Sequence, residues 1–435
     1  MRRTWSTATA CIRDQRSRVR PLSGQAETLI DFSKLTLGQY VTMTRAATSG
    51  TGHSGATWID SAGQFQISDV ADTPRFMHNT SGTFLGLWSE EQRVNLALQT
   101  AWAGCDSIAD PPTGWTFPHG LGTCVTSASA YGNADGASAL TMTGDGGAAS
   151  RPYLNQQFTL EAGKSYMFSV YVESITGTVT NSSITMLSGS GSTVTGTTTY
   201  WRSGATAASG STLITGRLCL RFDCASITTG VTGWRVGLGT ASASAAATLI
   251  ISRPQVEECS ATCQEASSYI PTTTNAITRP PDYANLATGL FGPTGGSFVV
   301  RYRRGYLGTG SRVVMGITDN AAVQTTISEH ATAATTHTLV DPNVTLTSTD
   351  GASANTRAAV SYGLPSLATY AASYVVNSGT VHNGDLNVNF SNLRCIPLGR
   401  DASTTSTGSD WLNGPIRSIT VYPDRKTDSQ LDALT

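Results

Sequence analysis

The feature that most constrains this fold is a set of short runs in which apolar and polar side chains alternate. Residues 166–172, 296–302 and 386–390 show this period of two, which is typical of a β-strand with one buried face. Glycine-, serine- and threonine-rich stretches separate the runs and supply turns. Charged residues make up only 13% of the chain, which leaves few helix formers for exposed faces. The sequence therefore predicts an all-β fold.

The length predicts more than one domain, because 435 residues exceed what one hydrophobic core supports. We expect an N-terminal attachment region with short strands at 1–99. Two jelly-roll-like β-sandwiches then follow at 100–285 and 286–435. Residues 1–27 are basic and irregular, so they form either an arm that orders on a partner surface or a loose terminus.

Charge and hydropathy exclude several functions. The net charge of -1 offers no basic surface for nucleic acid or for a membrane, and we expect neither as a partner. No apolar run reaches the ~18 residues that a transmembrane helix needs. The basic N-terminus lacks the apolar core of a secretory signal. Assembly inside a host cell followed by lysis fits this combination.

The spacing of the eight cysteines favours local disulfides over metal binding. No CxxC pair is present and no histidine lies near enough to complete a zinc site, so we expect no metal. Reduced, buried thiols are the alternative. Cys11 and Cys395 have no local partner. The candidate disulfide pairs are Cys259 with Cys263, Cys219 with Cys224, and Cys105 with Cys124.

A specific set of short motifs occupies residues 40–98. They are Thr-Arg-Ala at 44–46, an aspartate–glycine turn at 60–63, Pro-Arg-Phe at 74–76 and Glu-Gln-Arg-Val-Asn-Leu at 91–96. This stretch resembles a characteristic segment of phage head-spike and tail-fibre proteins.

Two further stretches extend the resemblance to about a quarter of the chain. Residues 254–282 resemble the closing strand of the carbohydrate-binding-module-like domain in the same proteins. Residues 412–434 resemble the final strand and helix of a concanavalin A-like lectin sandwich. The chain departs from the family where Glu-Cys-Ser-Ala-Thr-Cys at 258–263 replaces a short glycine turn, and a disulfide-closed loop is expected there.

The resemblance implies a structural protein displayed on the surface of a bacteriophage virion, as a head spike, fibre or decoration protein. Its N-terminal region would bind other virion proteins of the capsid or tail. The family is commonly oligomeric, and a trimer is the first expectation. Host surface glycans are the expected ligands. The alternatives are a tail fibre or tailspike that binds or depolymerises host polysaccharide, and a purely structural particle protein.

Candidate site residues are few. Exposed aromatic rings next to polar groups suit sugar rings, which favours Tyr200, Trp201 and Trp115 as glycan-binding residues. Neighbours on a strand face opposite ways, so one of Tyr200 and Trp201 belongs to the core. No spacing of aspartates singles out a catalytic pair, and we expect neither an enzyme nor a cofactor. Five residues of the family-like segment form either an attachment or oligomer surface or an intrachain network of salt bridges and hydrogen bonds: Arg45, Arg75, Glu90, Glu91 and Arg93.

Overall fold

The computed structural model describes most of the chain. The described residues are 27–34, 37–45, 56–68, 70–102, 111–112, 114–116, 123–145, 153–188, 194–202, 205–227, 232–237, 246–259, 261, 263–303, 311–319, 324–331, 335–342, 344–349, 355–364, 370–400 and 411–435. Within them the chain forms 29 strands and one short α-helix, so the all-β prediction is confirmed. Within the same ranges, no helix is long and apolar enough to cross a membrane.

The strands are short at the N-terminal end and longer afterwards. The first nine are β1 (Thr28–Asp31), β2 (Val41–Thr44), β3 (Ala56–Ile59), β4 (Phe65–Ser68), β5 (Phe76–His78), β6 (Phe84–Ser89), β7 (Arg93–Asn95), β8 (Thr123–Ser127) and β9 (Ala139–Asp145). The next ten are β10 (Tyr153–Phe158), β11 (Ser165–Thr176), β12 (Ile184–Ser188), β13 (Val194–Arg202), β14 (Ala205–Ala207), β15 (Gly216–Ile227), β16 (Thr232–Gly237), β17 (Ala246–Cys259), β18 (Ile277–Arg279) and β19 (Tyr283–Leu286). The last elements are β20 (Gly295–Arg303), β21 (Ser311–Asp319), β22 (Gln324–Ala331), β23 (Thr335–Asp341), β24 (Val344–Thr349), β25 (Asn355–Gly363), β26 (Tyr370–Val376), β27 (His382–Leu386), β28 (Leu393–Leu398), β29 (Gly414–Tyr422) and α1 (Asp428–Ala433).

Sandwich I consists of two antiparallel sheets. Sheet 1 has the order β27-β26-β25-β20-β29-β6-β5, and β1 also pairs with β29. Sheet 2 has the order β2-β19-β28-β21-β22-β23-β24. Apolar side chains from both sheets, including Phe298, Val360, Val314 and Ile396, form one buried core. Burying these faces against each other is what holds the two sheets together.

The N-terminal segment belongs to this sandwich. Thr28 pairs with Val421 in sheet 1, and Tyr283 pairs with Thr44 in sheet 2. Residues 28–89, expected to lie in a separate attachment region over 1–99, thus supply strands to both sheets of sandwich I. Residues 1–26, including Cys11, lie outside the described part of the chain.

Sandwich II is formed by strands between residues 123 and 259. Sheet 3 has the order β14-β13-β15-β11-β17-β9-β8, and sheet 4 has the order β10-β16-β12. Val170, Leu220 and Leu249 of sheet 3 share a core with Leu154 and Ile184 of sheet 4. The paired strands β7 and β18 and the hairpin β3–β4 lie outside these sheets.

One predicted strand was wrong and one predicted cap is confirmed. Residues 386–390 alternate as expected, with Leu386, Val388 and Phe390 buried, but β27 ends at Leu386. The main-chain amides of Asn387 and Asn389 instead donate to the carboxylates of Asp341 and Asp319, both at 2.9 Å. In the capping box of α1, the Thr427 side chain accepts from the Gln430 amide.

Candidate functional site

The candidate site lies on the outer face of sheet 3. Strands β13, β15 and β11 lie side by side there, with Trp201 opposite Cys219 and Thr197 opposite Asp223. Because side chains alternate along a strand, Thr197, Thr199 and Trp201 share one face of β13. Thr197 is exposed, and Trp201 is partly exposed. This face therefore presents an aromatic ring at one end of a row of hydroxyls.

The Trp201 ring is fixed by an apolar cluster beneath it and by an arginine at its side. Its ring packs on the small apolar cluster that includes Met167, Cys219 and Cys263. The Arg221 guanidinium lies 5.9 Å from the ring centre, within reach of a cation–π interaction. The indole Nε1 is buried and has no hydrogen-bond partner in the described structure. Trp201 thus offers a ring that is fixed in position.

Arg221 and Asp223 form the polar part of the site. Arg221 Nε lies 3.1 Å from Asp223 Oδ1, and Arg221 Nη1 donates to the Cys263 carbonyl at 3.1 Å. Ser165 Oγ donates to Asp223 Oδ1 at 2.7 Å. The side chains of Arg221 and Asp223 remain 15% and 28% exposed, so solvent still reaches both charged groups. Their mutual contacts hold them in position before any ligand arrives.

A disulfide-closed loop borders the site. Cys259 and Cys263 are bonded, as their spacing predicts, and both contact the cluster beneath Trp201. The predicted Cys219–Cys224 disulfide is wrong, because both residues are free thiols. They lie five positions apart on β15 and therefore face opposite sides of sheet 3. Burial raises the pKa of Cys219 to about 12.

The third cysteine pair is described only at one end. Cys124 is buried in the core of sandwich II, whereas Cys105 lies outside the described residues. Cys395 is buried in sandwich I, on β28.

The other two aromatic candidates are core residues. Tyr200 is 5% exposed, and its hydroxyl donates to the Ile184 carbonyl at 3.0 Å. Trp115 is 3% exposed, its Nε1 donates to the Leu98 carbonyl at 2.7 Å, and its ring packs on Trp102. Neither ring is presented to solvent. Of the three aromatic candidates, only Trp201 lies on an open face.

The arginines of the family-like segment are buried in an ion-pair network. Arg45, Arg75 and Arg279 contact the carboxylates of Glu90 and Asp282, and none of these side chains is more than 1% exposed. Arg75 Nη1 lies 2.7 Å from Glu90 Oε2, and Arg45 Nη1 lies 3.3 Å from Asp282 Oδ1. This is the intrachain alternative that the sequence left open. Because the side chains of Arg45 and Arg75 are fully buried, neither can contact a partner protein.

The network connects sandwich I to the segment that follows sandwich II. The Ser268 amide and hydroxyl both donate to Glu90, each at 2.7 Å. Burial alone would raise the pKa of Glu90, but Arg279, Arg75 and Ser268 together hold it below its ordinary value. Since Glu90 follows β6 of sheet 1, its carboxylate fastens this segment to sandwich I.

Glu91 and Arg93 pair with each other nearer the surface. Their side chains are 7% and 19% exposed, and Arg93 Nη1 also donates to the Glu258 carbonyl at 2.7 Å. The Asn413 side chain donates to Glu91 Oε1 at 3.2 Å, which links the segment after β6 to the residue before β29. Burial raises the pKa of Glu91, which Arg93 partly offsets. Both residues serve contacts within the chain.

Buried polar side chains on β17 also hold the segment at 267–270. Glu257 accepts from the Ser267 amide at 2.6 Å, and Gln255 Oε1 accepts from the Ile270 amide at 2.8 Å. Asn95 donates to the Ile270 carbonyl at 2.7 Å. The segment at 267–270, where the sequence resembles a closing strand, is thus held by buried polar side chains.

Comparisons with known proteins give no family. No protein-family profile matches the sequence, and no curated protein matches it. Among solved structures, the chain is similar to the CBM40 module of the IT-sialidase of Ruminococcus gnavus, with 14% identity over 33% of this chain and 83% of that chain, at a TM-score of 0.26. The same module bound to alpha2,3 sialyllactose gives 16% identity over 33% and 84%, also at 0.26. A likeness this weak is no evidence for a shared ligand.

The polar half of the candidate site was missed by sequence reasoning. Arg221 and Asp223 stand two apart on β15 and therefore share a face, so a period of two along β15 would have grouped them. Their position next to Trp201 depends on the pairing of β13 with β15, which no local pattern reveals. Among the described residues, no group of three or more His, Cys, Asp or Glu side chains is placed to hold a metal ion.

Proposed function

We propose that this chain binds glycans through the outer face of sheet 3. The observation that carries the proposal is the partly exposed Trp201 ring beside Arg221, Asp223 and Thr197. Sugar rings present apolar C–H faces that pack on an indole, and their hydroxyls hydrogen-bond to charged and hydroxyl side chains.

We propose that a single site on this face binds glycans weakly and that several copies together bind them strongly. The site is an open sheet face, so it buries less of a ligand than an enclosed pocket does. Several copies on one particle would convert weak single contacts into avidity. We propose a binding protein and not an enzyme.

The test is a printed array of bacterial surface polysaccharides probed with the wild-type chain and matched variants. Trp201→Ala is expected to weaken binding about tenfold or more, whereas Trp201→Phe retains most of it. Thr197→Val is expected to weaken binding too. Thr198→Val is its control, since Thr198 stands on the same strand and faces the other way.

Two outcomes contradict the glycan proposal. One is a wild-type chain that binds no member of the array. The other is equal binding by the wild type, Trp201→Ala and Thr197→Val. Thermal unfolding of each variant establishes that it is folded, because Trp201 also packs against the disulfide-bonded loop.

The biological setting that we propose is the surface of a bacteriophage particle, with the chain as a head spike, fibre or decoration protein. The support is the sequence resemblance over 40–98, 254–282 and 412–434. The motifs of the first two stretches converge on the buried contacts between Arg75, Glu90, Ser268 and Asp282, which is the pattern of a shared architectural junction. We further propose a homo-oligomer, with a trimer first, attached to capsid or tail through its N-terminal region.

Electron cryomicroscopy of intact particles tests the setting. Density for the two sandwiches on capsid vertices or capsomers supports a head spike or decoration protein, and density at the tail tip supports a receptor-binding fibre. Particles that lack the chain altogether contradict the proposal. Release of reducing sugar from host polysaccharide by the purified chain would instead favour a depolymerase.

A further inference from the structure

A second open surface, on the outer face of sheet 1, collects arginines. Arg301 and Arg303 of β20, Arg357 of β25 and Arg417 of β29 line a groove of about 380 Å³, which we name the arginine groove. Asp31 of β1 supplies the one carboxylate in its lining. Arg301, Arg357 and Arg417 are exposed. The groove is therefore strongly positive although the whole chain has a net charge of -1.

The strand register places like charges opposite each other. Arg301 stands directly across from Arg357, and Ser418 flanks Arg301 on its other side. Like charges at opposed positions of neighbouring strands destabilise a sheet. Such an arrangement costs least when an anion lies between the two guanidinium groups.

Three of the four arginines lack an ion-pair partner within the described part of the chain. There, no carboxylate lies within ion-pair distance of Arg301, Arg303 or Arg417. Arg357 Nη1 donates to the main-chain oxygen of Thr435 at 3.2 Å. The Asp31 carboxylate already accepts the Ser33 amide at 2.9 Å. Guanidinium donors thus remain available in the groove.

The rest of the lining suits a small ligand with apolar and hydroxyl groups. Leu29 is 56% exposed, and Leu85 is partly exposed beside it. Ser33 and Asn355 are exposed in the lining and supply its polar side chains. A groove of this volume matches a ligand of one or two sugar units more closely than a protein surface.

We propose that the arginine groove binds an acidic saccharide, one that carries a carboxylate or a phosphate group. The planar guanidinium groups pair with either oxyanion through two parallel hydrogen bonds. Leu29 and Leu85 contact the apolar edge of the sugar ring. This site is separate from the Trp201 face, because it lies on sandwich I and the Trp201 face lies on sandwich II.

The experiment measures binding of defined probes by isothermal titration calorimetry. Trigalacturonate supplies a carboxylate saccharide, mannose 6-phosphate supplies a phosphate saccharide, and the methyl ester of trigalacturonate is the uncharged match. Tetraglutamate represents an acidic protein segment. We expect one or both acidic saccharides to bind more tightly than the methyl ester and tetraglutamate, and the stronger of the two identifies the source of the anion.

Variants connect the binding to the groove. Arg301→Gln combined with Arg417→Gln is expected to weaken binding of the acidic saccharide about tenfold or more. Arg394→Gln, an exposed arginine on β28 of sheet 2, is the matched control and leaves binding unchanged. Trp201→Ala is also expected to leave binding of the acidic saccharide unchanged. A failure of the arginine-groove proposal can therefore be told apart from a failure of the proposal that the Trp201 face binds glycans.

Three results overturn the proposal. The first is that neither acidic saccharide binds. The second is that tetraglutamate binds as tightly as the saccharides, which would indicate a protein partner. The third is that the double arginine variant binds as the wild type does while its thermal unfolding is unchanged.

Discussion

Arg75 and Asp282 form an ion pair in which neither side chain is exposed, although 207 residues separate them in the sequence. Asp282 also pairs with Arg45, and Arg279 Nη1 lies 3.8 Å from it, so a single carboxylate serves three buried guanidinium groups. Removing one member of a buried pair is costly, because the remaining charge loses its partner and stays away from water. The junction is therefore the place where a single charge change should destabilise the chain most.

Asp282→Asn is expected to lower the free energy of unfolding by about 3–5 kcal/mol. Differential scanning calorimetry of the purified chain measures the change. Asp424→Asn is the control, because Asp424 is 62% exposed in its pair with Lys426 and its loss should cost less than about 1 kcal/mol. An equal free energy of unfolding for Asp282→Asn and Asp424→Asn would show that the buried network does not stabilise the junction.

Acid should destabilise the chain through Glu90. Its folded-state pKa lies below the ordinary value of 4.5, so the folded state binds fewer protons than the unfolded state as the pH falls. The stability that Glu90 contributes is present above that ordinary value and is lost progressively as the pH falls toward the lowered pKa. Urea unfolding between neutral and acidic pH measures this loss, and Glu90→Gln should show a shallower dependence.

Glu91 acts in the opposite direction. Its pKa is raised, so its contribution decreases as the pH rises above the ordinary value of 4.5. Glu91→Gln therefore serves as the matched control. An acid dependence that persists unchanged in Glu90→Gln would contradict the role assigned to Glu90.

The cap of α1 could be predicted from a local signal in the sequence, whereas long-range pairing could not. Thr427 and Gln430 are three apart, and the capping box they predict forms from residues of one turn. Nothing in the period of two reveals that β1 pairs with β29, because the alternation of one strand does not depend on which strand lies beside it. Residues 386–390 show the same limit, since their amides bind carboxylates from distant strands.

The candidate site divides in the same way. Alternation along β13 required Tyr200 and Trp201 to face opposite sides, and the structure places Tyr200 in the core and Trp201 on the open face. The spacing of Cys219 and Cys224 suggested a disulfide only because β15 had not been recognised as one continuous strand. For the buried arginines, the sequence indicated a cluster but not its carboxylate partners beyond residue 91.

The two thiols of β15 should be unreactive in the folded chain. Burial raises the pKa of Cys219 to about 12, so at pH 8 almost no thiolate is present there, and burial also raises the pKa of Cys224. Iodoacetamide labelling followed by peptide mapping should find both unmodified in native protein and both modified in guanidinium without reductant. A failure to label the denatured, unreduced chain would mean that the two are bonded to a partner.

The helix α1 should depend on one side chain. Leu431 is fully buried against Val299, Ala359 and Val375 on the outer face of sheet 1. A helix of six residues is not stable by itself in water, so its order comes from this contact and from its cap. Leu431→Ala is expected to lower the free energy of unfolding by about 2–4 kcal/mol and to release the helix from the sheet.

Two further variants of the helix serve as comparisons. Thr427→Ala removes the capping box and is expected to lower the free energy of unfolding by about 1 kcal/mol. Ala433→Ser, at an exposed position, is expected to lower it by less than about 0.5 kcal/mol. Hydrogen exchange of the amides of 428–433 measures the release directly, and amides that stay protected in Leu431→Ala would show that other contacts hold the helix in place.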